Sequence, residues 1–367
     1  MPVAMTAVAA ALGYAFAVYP IWNHMGKMHR IETLGPLISA DEADRRALLG
    51  AYFEDSGLDV GSFENVAWSV RTVMTPFVGY APAPGQHHNA YIDSHQFRGR
   101  RKLETPKPPG MIRIFLTGAS TAFSVGASSD ERTIGGYLQS VLDRRGAEAG
   151  KRYEVFTFAT PSWSSTHERI AIENRLSDLE PDLVVELTGT ADCLYGQHGR
   201  NVLWSRAFTD NYYFELVNIV LKRTGFKTMA NVQDVAKRPL PPDTVARGLE
   251  KNVRLAASAL APARARLHVF LQPAAFTSGK PLTRREAGMR PTGDWLKFSD
   301  PNYYQECSRA IGARLTEGVL PPNAEFTDLT TLFDQVPATQ EIFVDSFHFG
   351  DRGNLAIAEA MAKAILR

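Results

Sequence analysis

The chain has 367 residues, 44% of them hydrophobic and 22% charged, with 40 basic residues against 39 acidic ones. That composition fits a folded protein of one large or two smaller domains, and it excludes disorder or a fibrous repeat as the main character. A net charge of +1 lacks the basic excess of a nucleic-acid binder.

The first element is apolar. Val3 to Trp22 contains no charged residue, and Lys27 is the first charge. A helix of that length, at about 1.5 Å per residue, would cross a hydrocarbon core of about 30 Å. Three readings compete: a membrane-spanning anchor, a cleaved signal peptide with Ala15-Phe16-Ala17 as its small-residue site, and a buried core helix. Tyr19, Trp22, Lys27 and Arg30 read as an interface belt and favour the anchor. By the positive-inside rule alone, the charges after the span would put the large domain in the cytoplasm.

Residues 27–110 read as an extension packing on the main domain. Ala40 to Asp44 opens a helix with acidic residues in its first turn. Pro/Gly punctuation at Thr75-Pro76, Ala81 to Gly85 and Lys107 to Gly110 predicts loops and short strands. The basic run Arg98 to Lys102 reads as a solvated loop, with contact to an anionic lipid or substrate as the alternative.

From residue 111 onward strands and helices alternate. Ile112–Leu116, Tyr153–Phe158, Leu183–Leu187 and Leu267–Leu271 are short apolar runs that read as strands, and Ala324–Leu329 is a fifth candidate. Helices are expected over Asp130–Arg145, Ser164–Leu179, Asp243–Ala261 and Gly353–Leu366. This pattern predicts an α/β fold, a three-layer α/β/α arrangement with a mostly parallel five-stranded, flavodoxin-like sheet. No internal repeat is visible. Cys193 and Cys307 are too few for a disulfide framework and fit no zinc spacing, and the histidines, including adjacent His87 and His88, form no defensible metal set.

Functional groups in such a sheet collect at the carboxyl ends of the strands. The first strand runs into Gly118-Ala119-Ser120-Thr121, the third into Gly189-Thr190-Ala191-Asp192, and Asp345-Ser346-Phe347-His348 precedes the last helix. A serine, a histidine and an aspartate three residues before it suit nucleophilic catalysis: His348 over Ser120, with Asp345 fixing the imidazole tautomer. The structural alternatives are a turn or cap role for Ser120, a packing role for His348 and a helix-cap role for Asp345. An α/β-hydrolase elbow is disfavoured, because Ala122 stands where G-x-S-x-G wants its second glycine.

Four blocks resemble the SGNH/GDSL hydrolase family, membrane-anchored bacterial members in particular. They are Ile114–Thr121, Val155–Ser165, Pro181–Asp192 and Asp345–Asn354, and the resemblance covers roughly Asn89 to the end. Gln272-Pro273, Leu282-Thr283 and Glu286 add to it. The resemblance implies a Ser120–His348–Asp345 triad, no cofactor or metal, and O-acyl ester substrates on carbohydrates or lipids, with hydrolysis or acyl transfer as outcomes. It implies a bacterial inner-membrane protein anchored through residues 3–22, with a periplasmic main domain. The implied organisation is 1–26 anchor or uncleaved signal segment, 27–110 extension and 111–367 hydrolase-like domain.

The resemblance also implies three oxyanion donors, at positions that fall on Ser120, Ser162 and Ala191. Ser162 replaces a glycine and Ala191 replaces an asparagine. A backbone donor survives the first change if its conformation survives, whereas a methyl group donates nothing. Losing one such donor costs about 100- to 1000-fold in rate. Thr190, Asn201 or a loop amide could substitute. The competing reading is a catalytically impaired subunit that binds or scaffolds within a membrane complex.

Overall fold

The computed structural model describes residues 8, 12–14, 70, 72–87, 89–199, 217–228, 238–288 and 300–367. The chain divides into two compact units, Met1–Asp41 with Arg206–Val235 and Glu42–Ser205 with Ala236–Arg367. Of the first unit only 8, 12–14 and 217–228 are described, so the apolar stretch 3–22 and the predicted helix at 40–44 lie almost wholly outside the described residues. Among the described residues no helix is long and apolar enough to cross a membrane.

The second unit is built on five parallel strands: β5 (Met111–Gly118), β6 (Arg152–Ala159), β7 (Leu183–Thr188), β8 (Arg266–Leu271) and β9 (Ala324–Asp328). Their spatial order is β6-β5-β7-β8-β9. β5, β7 and β8 are buried along almost their whole length, which is why each reads as a mostly apolar run without alternation, interrupted by one buried polar side chain or two: Arg113 and Thr117, Glu186 and Thr188, and His268. The edge strand β9 alternates and is only half-buried.

Helices cover the sheet in two groups. α2 (Ile134–Glu148) packs with α8 (Asp351–Ile365), and their apolar faces meet Ile114, Leu116, Val185 and Leu187. α5 (Pro242–Leu260) packs with α3 (Ser165–Asn174) and α7 (Pro301–Glu317). Between them these layers complete an α/β/α arrangement. α2 starts four residues later than its acidic lead suggests, because Thr133 caps it by accepting from Gly136 N–H at 2.9 Å. The helix expected to run from Ser164 to Leu179 breaks after Asn174 and continues as a 3₁₀ turn at Leu176–Leu179.

Residues 72–110 hold two hairpins, β1 (Thr72–Thr75) with β2 (Gly79–Pro82) and β3 (Gly85–His87) with β4 (Ala90–Ile92). Phe97 leaves this segment to stack among Phe115, Phe156 and Phe158. The basic run does not start as a solvated loop. Arg98 is buried, pairs with Asp130 at 2.9 Å and donates to the carbonyls of Phe123 and Ser124. A buried guanidinium needs such partners, and here its partners are the end of the turn that carries Ser120 and the loop behind it.

Cys193 and Cys307 are joined in a disulfide that links α4 (Thr190–Gln197) to α7 across 114 residues. Nothing in their sequence spacing had paired them.

Candidate active site

The sheet order places β5 between its successor β6 and β7, so the direction of winding reverses at β5. Ligand crevices in open α/β sheets lie outside the carboxyl ends of strands at such a reversal. Ser120 follows β5 there, Thr160 to Ser162 follow β6, and Thr190-Ala191 follow β7.

β5 ends on Gly118, with φ +152°. A Cβ there would sit 2.4 Å from the Leu187 carbonyl oxygen and 2.6 Å from the Ala122 Cβ, so the sharp exit from the strand requires glycine. Ser120 then opens the short α1 (Ser120–Phe123), at its first position, with Ala119 as the cap. Its side chain is therefore not a cap. Gly126 closes the distance to the histidine loop, since a Cβ on it would meet the Phe349 carbonyl at 2.3 Å.

The histidine loop is held from several sides. Asp345 Oδ1 accepts from the N–H groups of Phe347 at 2.8 Å and His348 at 2.9 Å. Gln272 Nε2 donates to the Phe347 carbonyl at 3.1 Å, and Ala275 N–H donates to that of Ser346 at 3.0 Å. Upstream, buried Glu286 accepts from Ile342 N–H and Phe343 N–H and pairs with buried Lys280. The Gln272 and Glu286 features thus fix the loop rather than enter the reaction. Asp345 is not a helix cap: α8 is capped at Gly350.

Three side chains converge. Asp345 Oδ2 lies 2.7 Å from His348 Nδ1, and His348 Nε2 lies 2.6 Å from Ser120 Oγ. Burial pushes the Asp345 carboxyl up, but the adjacent His348 and the two backbone N–H donors outweigh it and hold the pKa below the usual carboxylate value. An ionised Asp345 at Nδ1 keeps the proton on that nitrogen and leaves Nε2 free to accept one from Ser120.

The three oxyanion positions fare differently. Ser120 N–H sits in the first turn of α1 with no acceptor among the described residues. Ser162 has φ +67°, the left-handed conformation that glycine adopts without cost. Its N–H likewise has no acceptor among the described residues. Ala191 packs with Ala119 and Tyr195 in a small apolar cluster and supplies no side-chain donor. Thr190 Oγ is buried, and Asn201 lies outside the described residues.

α3, β7 and α4 also carry a buried acidic group. Glu168, Glu186 and Asp192 are all buried. Asp192 accepts from Ser165 N–H and Oγ–H at 2.9 and 2.6 Å. Burial raises the Glu186 pKa to about 7. Burial and the neighbouring Glu186 raise Glu168 well above the ordinary carboxylate value. Among the described residues no group of three or more His, Cys, Asp or Glu side chains could hold a metal ion.

No family model matches the chain, and no curated protein matches it. Solved structures do. An acetyl xylan esterase, AlAXEase, is 16% identical over 69% of this chain and 100% of its own, with a TM-score of 0.41. A GDSL-like lipase described as putative, from Parabacteroides merdae, is 13% identical over 69% and 94%, with a TM-score of 0.40. A catalytic mutant of the acetylxylan esterase Axe2 from Geobacillus stearothermophilus is 12% identical over 69% and 94%, also at 0.40. The solved structures similar to this chain thus include esterases and a lipase described as GDSL-like.

Proposed function

We propose that the chain is an SGNH-type serine esterase in which Ser120, His348 and Asp345 form the catalytic triad. The observation that carries this reading is the unbroken line Asp345 Oδ2–His348 Nδ1–His348 Nε2–Ser120 Oγ, with both contacts inside 2.8 Å. Ser120 Oγ attacks the ester carbonyl carbon as His348 Nε2 takes its proton. The tetrahedral intermediate collapses, and His348 returns the proton to the departing alkoxide. Water then attacks the acyl-enzyme through the same base; a sugar hydroxyl in its place gives acyl transfer. The substrate class is O-acyl groups on carbohydrates or lipids.

Residues 3–22 anchor the protein in a bacterial inner membrane, with the main domain on the periplasmic side. The disulfide between Cys193 and Cys307 supports that side over the cytoplasm, where thiols are kept reduced.

One observation favours a second reading. The Ala191 methyl leaves a donor position empty, a loss of about 100- to 1000-fold in rate if nothing replaces it. An SGNH-like subunit that binds an ester or a partner within a membrane complex without turning substrate over would tolerate this. A serine-directed alkyl phosphonate separates the two. The esterase is expected to carry the adduct on Ser120 by peptide mass mapping, and Ser120→Ala is expected to lose both labelling and hydrolysis of 4-nitrophenyl acetate. Absence of labelling and of turnover in the wild type would refute the esterase.

A further inference from the structure

Ser162 stands at the third position of a tight turn. Trp163 N–H donates to the Thr160 carbonyl at 3.2 Å, closing Thr160-Pro161-Ser162-Trp163. Proline second and a positive φ third is the type II pattern, in which glycine normally takes the third place. A serine there is more at home in a type I turn, which differs chiefly by a flip of the central peptide, Pro161–Ser162. That peptide carries the Ser162 N–H. The flip therefore decides where this donor points.

One tyrosine hydroxyl holds the central peptide in the less favoured form, and a second holds the peptide that follows it. Tyr80 Oη–H, from β2, donates to the Pro161 carbonyl at 3.0 Å. Tyr195 Oη–H, from α4, donates to the Ser162 carbonyl at 2.7 Å. In a trans peptide the carbonyl and the N–H point in opposite directions, so fixing the Pro161 oxygen on the Tyr80 side fixes the Ser162 N–H on the other. The turn is tied down at both ends as well. Thr160 N–H donates to the Gly118 carbonyl at 3.1 Å, two residues before Ser120, and buried Trp163 donates its indole N–H to the Tyr80 carbonyl at 3.1 Å. Both tyrosine rings are buried. A non-glycine residue with positive φ persists only where its surroundings over-determine it, and such positions gather at active sites.

We infer that Tyr80 and Tyr195 are positioning residues: their hydroxyls lock the Thr160–Trp163 turn so that Ser162 N–H, with Ser120 N–H, receives the negative charge on the substrate carbonyl oxygen. This inference rests on the reading of Ser120 as the nucleophile. With Ala191 contributing no amide, the hole has two backbone donors, and one of them depends on the clamp.

The test uses the full chain with Tyr80→Phe, Tyr195→Phe, their double variant, and each with Ser162→Gly. With 4-nitrophenyl acetate, the double phenylalanine variant is expected to lose about 100-fold in kcat with KM unchanged, the size of one lost oxyanion donor. Ser162→Gly in that background is expected to recover most of the loss, since glycine keeps a positive φ without help. A general weakening of the fold would not be reversed by adding a glycine. A crystal structure of the double variant is expected to show Ser162 with negative φ. Wild-type kcat in the double variant, or no recovery with glycine, would overturn the clamp. An inactive, unlabelled wild type would refute the esterase reading instead. The clamp is then judged on the turn alone, and Ser162 keeping its positive φ without either hydroxyl would overturn it.

Discussion

Asp345→Asn isolates the role of one charge. The substitution leaves Oδ1 in place, and with it the acceptor for Phe347 N–H and His348 N–H that shapes the loop. What changes is the atom facing His348 Nδ1, now 2.7 Å from a carboxylate oxygen. An amide that keeps its oxygen on the two backbone donors presents its NH₂ to Nδ1. Nδ1 must then accept, the ring proton moves to Nε2, and Nε2 can no longer take a proton from Ser120 at 2.6 Å. Loss of the correct tautomer and of the charge that stabilises the imidazolium is worth about 10⁴-fold in kcat, or about 5 kcal/mol of barrier. The assay is hydrolysis of 4-nitrophenyl acetate from pH 5 to pH 9, with thermal unfolding as the control for the loop. The expected result is a loss of that size with little change in melting temperature. Activity within tenfold of wild type would refute the triad, because Asp345 is the carboxylate that holds His348 Nδ1.

Two further outcomes test the surroundings of the site. Glu186 has a folded-state pKa of about 7 against about 4.5 when unfolded, so the folded state holds a proton that the unfolded state releases. Stability therefore falls as pH rises through that window, by about 3 kcal/mol in all. Urea midpoints are expected to drop between pH 5 and pH 8 in the wild type and to drop less in Glu186→Gln, where buried Glu168 still holds a proton, and a wild type insensitive to pH there would contradict this. The Cys193–Cys307 link closes a 114-residue separation, which a chain-entropy argument values at about 5 kcal/mol. Protein recovered from an oxidising compartment is expected to resist maleimide until reduced and denatured, and Cys193→Ser to unfold at markedly lower urea; two free thiols in the native protein would contradict the link.

The sheet was legible because its strands are buried on both faces. β5, β7 and β8 take mostly apolar residues without alternation, and that run of residues is itself the signal. The contacts among Ser120, His348 and Asp345 were legible because one short loop carries both Asp345 and His348 and a strand end carries Ser120. α7 was missed although its start is written plainly: Asp300 caps it, accepting from Asn302 N–H at 2.9 Å, and Pro301 takes the first helical position. Arg98 was misread because a basic run looks alike on a surface and under a loop; only its partners, Asp130 and two carbonyls, tell the cases apart. Tyr80 and Tyr195 gave no signal at all. They reach Pro161 and Ser162 across 81 and 33 residues, and nothing local in the chain requires a hydroxyl at either place.

The two departures from the resembled pattern, Ala191 and Ser162, meet at one tyrosine. Ala191 and Tyr195 are four residues apart on α4 and therefore neighbours along the same stripe. The Ala191 methyl packs with the Tyr195 ring, and the Tyr195 hydroxyl holds the carbonyl of Ser162. A larger polar side chain at 191 would have to share that space with the ring that steadies the turn. The helix that carries Ala191 thus also supplies a hydroxyl to the turn at Ser162. On the proposed reading, a site with two backbone donors and the Ser120–His348–Asp345 line would serve a slower esterase, or one suited to activated esters.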